Sequence, residues 1–182
     1  MNDATLDEQS TIRRYSHALI YLHWAIFILV VLAYVAVDVR GPKGSASRGF
    51  WMSIHLWAGV LTLTLATSRL VLRMRTNVPT VSDAGPLLQA LGRMTHIALY
   101  LFILLQPVLG ILMINLSGKP VVLAGVGWSF AVVGPHAEWR SVVKSAHEWL
   151  GFVFYFVIGL HVLAALWHQF ILKDGLLDRM RP

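Results

Sequence analysis

The chain has 182 residues, of which 57% are hydrophobic and 13% charged, and its formal charge is +6. This composition indicates an integral membrane protein, in which basic residues flank apolar runs and contact lipid, so nucleic-acid binding is not expected. The chain has no cysteine, which excludes iron–sulfur clusters, thiol redox chemistry and disulfides, and leaves histidine as the ligand for any redox centre.

Four apolar segments are long enough to cross a bilayer, because a hydrocarbon core of about 30 Å takes roughly 20 helical residues. They are predicted as helices at residues 18–37, 51–72, 94–116 and 142–172. Backbone inside lipid must satisfy its own hydrogen bonds, which a helix does. The predicted fold class is therefore an all-α integral membrane protein, a four-helix bundle that forms one domain over residues 1–182.

The distribution of charge predicts how this bundle is oriented. Four crossings place both termini on one side, and that side carries nine basic residues: Arg13, Arg14, Arg69, Arg73, Arg75, Arg93, Lys173, Arg179 and Arg181. The opposite side carries six: Arg40, Lys43, Arg48, Lys119, Arg140 and Lys144. Because basic residues favour the cytoplasmic side, we expect both termini to be cytoplasmic. The outer side is still unusually basic, which makes it a candidate for attracting anions.

Four histidines fall at two depths within these segments. His23 lies near the cytoplasmic end of the first segment, and His55 lies near the outer end of the second. His147 and His161 share the fourth segment and are 14 residues apart. At about 100° and 1.5 Å per residue they lie on one face, about 21 Å apart along the axis. The depths therefore pair His55 with His147 and His23 with His161.

A pair of imidazoles from two helices, with no carboxylate or thiolate nearby, suits a six-coordinate haem better than zinc. The pattern predicts two haems stacked across the membrane, and ligation on both faces favours electron transfer over oxygen activation. Gly59 and Gly151, each four residues after a predicted ligand, would let a porphyrin lie close to the helix, and Phe154 falls midway between the two levels. The alternative is that the histidines are hydrogen-bonded across helices or lie at the membrane surface.

Several motifs around these histidines resemble the bacterial cytochrome b561 family over about Arg13 to Met180. The matching residues are Arg14-Tyr15-Ser16 before His23-Trp24, Ile54-His55 with Gly59, Lys144-Ser145-Ala146-His147-Glu148, and Val157-Ile158-Gly159-Leu160-His161 followed by His168. The resemblance is closest to the small stand-alone members that act as superoxide:ubiquinone oxidoreductases.

That resemblance implies an enzyme of the bacterial inner membrane with two haem b cofactors and ubiquinone as electron acceptor. The iron ligands it implies are His23 and His161 for the cytoplasmic-side haem, and His55 and His147 for the periplasmic-side haem. Superoxide would be oxidised to oxygen outside, and ubiquinone would be reduced to ubiquinol. The implied partners are these two small molecules and the lipid bilayer, with no obligatory protein partner.

Other polar residues are candidates for binding the substrates. Lys144 and Arg140 lie roughly on one face before His147 and could steer superoxide, or else bind haem propionates or lipid phosphate. On the cytoplasmic side, the candidates for quinone or propionate binding are His168, Arg69, Arg73 and His96. His168 could also relay a proton, since a histidine pKa near neutrality suits that task. The arginines could instead be topological anchors, and His96 a buried hydrogen-bonded imidazole.

Two other functions fit parts of the pattern. The chain could be a cytochrome b membrane subunit that relays electrons between quinone and a partner redox protein. It could also be a histidine-rich metal transporter without redox activity, but one expects carboxylate co-ligands within the membrane, and here Asp38, Glu148 and Asp174 lie only at the helix ends. The outer connection from Lys119 to Arg140, with an apolar stretch at residues 121–133 around Trp128, is where the chain departs most from the superoxide:ubiquinone oxidoreductases that it resembles.

Overall fold

The computed structural model describes residues 15–76 and 85–181, and four long helices account for most of it. The helices are α1 (His17–Asp38), α2 (Ala46–Arg75), α3 (Pro86–Asn115) and α4 (Ala137–Trp167). All four are long and apolar enough to cross a membrane. The predicted all-α membrane fold class is thus confirmed. Arg13 and Arg14, which entered the topology argument, lie outside the described residues.

The helices extend beyond the predicted segments at several ends. α2 begins at Ala46 rather than residue 51, and α3 begins at Pro86 rather than residue 94. Hydropathy predicts only the part of a helix that lies in lipid, whereas the helix itself extends to the capping residue at each end. Ser45 caps α2 by accepting a hydrogen bond from the Arg48 amide, and α3 starts with a proline in its first turn.

Packing is tightest between α1 and α2. Ala58, Thr62 and Ala66 of α2 are all buried and recur at every fourth residue, so they form a stripe of small side chains along one face. Small residues let two membrane helices approach closely, and Ala36 of α1 is fully buried in the same way. α2 also packs against α3, and α3 against α4. A hydrogen bond of 2.7 Å from the Tyr34 hydroxyl to the Gly151 carbonyl links α1 to α4.

A short antiparallel hairpin, which was not predicted, joins α3 to α4. Its strands are β1 (Val121–Leu123) and β2 (Trp128–Phe130). The Asn115 side chain, which is 1% exposed, holds the base of the hairpin by donating to the Lys119 carbonyl and accepting from the Val132 amide. The hairpin is an addition to the predicted helical bundle, and three-residue strands leave a weak sequence signal.

The C-terminal segment crosses from α4 back to α1. After Trp167 the chain makes a π-helical turn, His168–Leu172, and Lys173 adopts a left-handed conformation with φ of 53°. The Asp174 carboxylate then lies 2.5 Å from His168 Nδ1. At the far end, the Trp24 indole donates a 2.9 Å hydrogen bond to the Met180 carbonyl. The segment therefore covers the end of the bundle next to His23.

We expect Asp174→Asn to loosen this segment. Burial opposes ionisation of Asp174, but hydrogen bonds from His168 and the Leu176 amide outweigh it and hold the pKa of Asp174 below its usual value of 3.8. A carboxylate with a lowered pKa stabilises the fold above its ordinary pKa, and this contribution is lost as the pH falls through the lowered value. At neutral pH the substitution removes the contribution, so amide exchange at residues 175–180 should become faster.

The matched control is Asp178→Asn in the same segment. Asp178 pairs with Arg181 at 3.3 Å, but the Arg181 side chain is 74% exposed, and exposed ion pairs contribute little. Hydrogen exchange read by mass spectrometry should show no change in this control. Equal acceleration in both variants would mean that the contact between Asp174 and His168 does not anchor the segment.

Candidate functional site

One pair of histidines, called the outer pair because it lies on the side away from the termini, is found where all four helices meet. The imidazoles of His55 in α2 and His147 in α4 have ring centroids 6.2 Å apart and planes at 88°. His55 Nδ1 lies 2.9 Å from the Ala33 carbonyl of α1, and His147 Nδ1 lies 3.1 Å from the Gln106 carbonyl of α3. A carbonyl can only accept, so each Nδ1 must carry the proton. Each ring therefore has Nε2 available as a metal ligand.

Gln106 and Gly110 of α3 fix the position of His147. The Gln106 side-chain amide donates to the His147 main-chain carbonyl at 3.1 Å, and the Gln106 main-chain carbonyl accepts from the His147 ring. A Cβ added at Gly110 would lie 3.4 Å from the His147 ring. Gly151 was expected to make room for a porphyrin, but a Cβ there would lie 3.1 Å from Gln106. At Gly59 no atom lies within 4 Å of an added Cβ, so the space beside it is open.

A second pair, called the inner pair, lies farther along α4, nearer to the termini. The rings of His23 in α1 and His161 in α4 have centroids 6.3 Å apart and planes at 76°. His96 of α3 also approaches His161, with centroids 5.6 Å apart. The Nδ1 of His96 lies 2.7 Å from the Gly92 carbonyl of its own helix. The inner level therefore contains three imidazoles, of which His161 is the central one.

Both pairs have dimensions that suit a metal bound between two imidazoles. A metal lies about 2 Å from each ligating ring nitrogen, so two imidazoles on opposite sides of it have centroids on the order of 6 Å apart. The observed separations are 6.2 and 6.3 Å. Phe154, which is 4% exposed, lies between the two levels in sequence and stacks on Phe102 of α3 with nearly parallel rings. The residues present thus fit two bis-histidine haems, one at each level.

A buried arginine lies beside the inner pair. Arg69 of α2 is 9% exposed and interacts electrostatically with both His23 and His161. Its guanidinium donates to the Tyr100 hydroxyl of α3, and both Arg69 and Arg73 lie 5.8 Å from the Tyr100 ring centre. Within residues 15–76 and 85–181, no carboxylate pairs with Arg69, and its Nε has no partner. A buried cation of this kind requires an anion, and a haem propionate would provide one.

A cavity of about 740 Å³, open along one side, lies between α2 and α3 at the same end of the bundle. Its polar end is formed by Arg73, Arg93, His96 and Tyr100. Deeper in the membrane it is lined by Leu101, Leu104, Leu105 and Val108. A volume of this size is typical of small-molecule sites, and the polarity gradient matches a molecule with a polar head and an apolar tail.

The remaining predicted residues lie at the two ends of the bundle. His168 contacts Asp174, as described above, on the side of the termini. On the opposite side, Lys144 forms an ion pair with Glu148 at 2.8 Å, whereas Arg140 is exposed and forms no ion pair among the described residues. Arg40 lies close enough to His55 to interact with it electrostatically. Arg140 and Arg40 therefore present more uncompensated charge than Lys144.

Several residues at the site were not singled out from sequence. Tyr100 joins the two arginines of α2, and the Ala33 and Gln106 carbonyls set the tautomers of the outer pair. A main-chain carbonyl leaves no sequence signal. Gln106, however, is a polar residue within an apolar run, and such residues commonly bond across membrane helices, so its role could have been predicted.

Comparison with known proteins gives a consistent set of matches. The family model described as prokaryotic cytochrome b561 matches residues 14–182. Cytochrome b561 homolog 1 of Escherichia coli is 36% identical over 178 residues, covering 93% of this chain and 97% of that protein. The probable superoxide oxidase CybB of Yersinia pestis is 31% identical over 176 residues, with the same two coverages. Cytochrome b562 of Cereibacter sphaeroides is 35% identical over 182 residues, covering 92% of this chain and 96% of that protein.

Proposed function

The chain belongs to the prokaryotic cytochrome b561 family of membrane electron-transfer proteins, which hold b-type haem in the bacterial inner membrane, and on that premise we propose that it is a superoxide:ubiquinone oxidoreductase. When bound, two haems would supply one-electron carriers at two depths in the membrane. The proposed ligands are His55 and His147 for the outer haem and His23 and His161 for the inner one. The probable superoxide oxidase among the relatives supports this choice of donor.

The observation that carries the proposal is the presence of two imidazole pairs of matching geometry at the two levels of one bundle. Each pair joins α4 to a different helix, with ring centroids 6.2 and 6.3 Å apart. A lone histidine contact would be explained by a hydrogen bond between helices. Two pairs with similar separation, whose outer members have Nδ1 turned to a carbonyl, favour metal ligation.

The proposed reaction takes electrons from two superoxide ions for each quinone. Two superoxide ions lose one electron each and leave as oxygen, while ubiquinone gains both electrons and two protons to become ubiquinol. The protein's own residues must therefore attract an anion at one end and deliver protons at the other. With the termini in the cytoplasm, as we propose, the anion arrives from the periplasm and the protons from the cytoplasm.

Positive charge near the outer pair would attract superoxide. Arg40 interacts with His55, and Arg140 and Lys144 lie on the first turns of α4 before His147. Clustered charge of one sign raises the encounter rate of an oppositely charged ion, and salt screens the effect. The ion pair between Lys144 and Glu148 reduces the contribution of Lys144. Arg140 is therefore the stronger candidate on α4.

We expect Arg140→Ala to slow superoxide oxidation by about 2- to 5-fold at low salt, because one exposed positive charge is lost. The difference should disappear at high ionic strength. The measurement is the rate of haem reduction by superoxide across a salt series. Arg75→Ala, which removes a basic residue near the opposite end, is the matched control and should show no effect. A salt-independent loss in the Arg140 variant would contradict electrostatic steering.

Arg69 would pair with a propionate of the inner haem. Its burial argues against a role as a headgroup anchor, and its Nε, which has no hydrogen-bond partner among the described residues, could donate to a propionate oxygen. A positive charge beside a haem disfavours the oxidised form, which carries more positive charge, so it raises the reduction potential.

We expect Arg69→Met to lower the inner potential by on the order of 50 mV, since it removes this buried charge. Redox titration of the haem absorption would measure the shift. Tyr100→Phe is the control, because it removes the hydrogen bond to Arg69 and keeps the charge, so a much smaller shift is expected. If the Arg69 variant keeps the wild-type potential, Arg69 does not act on the inner haem.

The cavity between α2 and α3 is the proposed site for the quinone. Its polar end includes His96, whose ring lies 5.6 Å from that of His161, so a head group there would be next to the inner pair. Arg73, His96 and Tyr100 could hydrogen-bond the quinone carbonyls, and the leucines below would contact the isoprenoid tail. His168, held by Asp174 on the same side, is proposed to pass protons inward from the cytoplasm.

The experiment that tests this function measures ubiquinol formed by the purified protein when superoxide is generated enzymatically. Superoxide-dependent quinol formation that needs the protein and is prevented by superoxide dismutase would support the proposal. Reduction only in the presence of a co-purifying redox subunit would instead support the alternative of a cytochrome b subunit in a larger complex.

A further inference from the structure

The hairpin between α3 and α4 has an apolar surface that the proposed reaction does not use. Lys119 is the single charged residue between Ser117 and Pro135 in the sequence. Val126 at the turn is 60% exposed and Trp128 is 62% exposed. A contiguous apolar surface of this kind normally marks an interaction site, and membranes are among the surfaces it contacts.

The hairpin is held rigidly on its other face. Val121 and Leu123 are essentially inaccessible, and the Asn115 side chain ties both ends of the hairpin to the end of α3. The Trp57 indole of α2 donates a 3.0 Å hydrogen bond to the Ala124 carbonyl in the turn. The exposed residues are therefore presented in one orientation, and they do not belong to a loop that could fold back onto the protein.

The contact with Trp57 also fixes the depth of the turn. Trp57 is two residues beyond His55 in α2, and α2 runs into the membrane from this side. The turn therefore lies close to the depth of the outer histidines, separated from it by no more than the length of the Trp57 side chain. It does not project away from the bundle. On the α3 side, the apolar run continues to Ile114, directly before the residue that holds the hairpin. The hairpin thus lies at the edge of the hydrocarbon layer.

We propose that the hairpin inserts its exposed face into the lipid headgroup layer on the side of the membrane opposite the termini. Because β1 packs against both α2 and α3, the bilayer that surrounds those helices also reaches the hairpin and is its occupant. Tryptophan favours this interfacial layer. The outward backbone groups of the strands need polar partners, which headgroups and water supply and hydrocarbon does not. Lys119, at the start of the segment, would contact lipid phosphate.

The chain has no cysteine, so a cysteine introduced at one position is the only thiol that a spin label can modify. A nitroxide would be attached after Val126→Cys, and separately after Lys43→Cys in the exposed connection between α1 and α2 on the same side. Each labelled protein would be reconstituted in vesicles of phosphatidylethanolamine and phosphatidylglycerol, and unchanged haem absorption would show that the variant is folded. Power-saturation electron paramagnetic resonance then compares collision with oxygen, which concentrates in lipid, and with a water-soluble nickel chelate.

We expect the label at position 126 to collide with the nickel chelate several-fold less often than the label at position 43, and more often with oxygen. Equal nickel accessibility at the two positions would overturn the proposal, since the hairpin would then project into water, where it could bind a soluble protein. This inference does not depend on superoxide or quinone. A protein that forms no ubiquinol from superoxide can still show the expected difference in nickel accessibility.

Discussion

Replacing His161 with alanine is expected to remove the inner haem, lower the haem absorbance by about half and abolish quinone reduction, because the iron loses one of its two protein ligands. His161 is the imidazole that faces His23 across α1 and α4, with ring centroids 6.3 Å apart. The absorption spectrum after complete reduction, scaled to protein concentration, would measure the loss. His23→Ala should give the same result, since it removes the other half of the pair.

His96→Ala is the matched control for this prediction. Its ring is nearer to His161 than that of His23, with centroids 5.6 Å apart, so proximity alone would make it an equal candidate ligand. We expect this variant to retain full haem absorbance and to have a higher KM for quinone, because His96 lines the cavity. Loss of haem from the His96 variant, with retention in the His23 variant, would reassign the inner ligand pair to α3 and α4.

Replacing His147 with alanine is expected to abolish the reaction with superoxide and to leave the reaction with the quinone, whereas the His161 variant loses the reaction with the quinone. The outer haem should be lost, and haem reduction by superoxide should fall to the background level, because the donor arrives at this end. Reduction of the remaining haem by ubiquinol should persist, since the inner pair and the cavity between α2 and α3 are unchanged. Separate assays with superoxide and with ubiquinol would distinguish the two ends of the pathway.

His136→Ala serves as the control on the same helix. His136 caps the start of α4 by accepting a hydrogen bond from the Trp139 amide and lies outside both pairs, so superoxide-driven reduction should be retained. If the His147 variant still reduces its remaining haem with superoxide at the wild-type rate, superoxide does not enter at the outer pair.

The sequence was sufficient to predict the four helices and their membrane-spanning character. Long apolar runs have a strong signal, and the requirement that lipid-exposed backbone satisfy itself leaves one choice of secondary structure. The depth of each histidine follows from counting along a helix of known rise, so the sequence alone matches His55 to His147 and His23 to His161. In the structure, these are the rings that face each other.

The details that depend on how the helices rotate against one another could not be predicted. The approach of His96 to His161 and the contact of Tyr100 with Arg69 depend on the orientation of α3, which its all-round apolar sequence does not specify. The hairpin was missed because its strands are three residues each, and its stability comes from Asn115 and Trp57 rather than from a strand pattern. The contact of Gln106 with Gly151 also depends on the orientation of α3, because Gln106 belongs to α3 and Gly151 to α4.

The most direct test of the proposed function is stopped-flow spectroscopy of the oxidised protein in vesicles, mixed with superoxide in the presence of a ubiquinone analogue. Rapid reduction of the haem α band, followed by its reoxidation in step with the appearance of quinol, is the result expected of an electron path from the outer pair to the inner pair. Haems that remain oxidised through the lifetime of the superoxide, while ubiquinol still reduces them, would show that this cytochrome takes its electrons from a different donor.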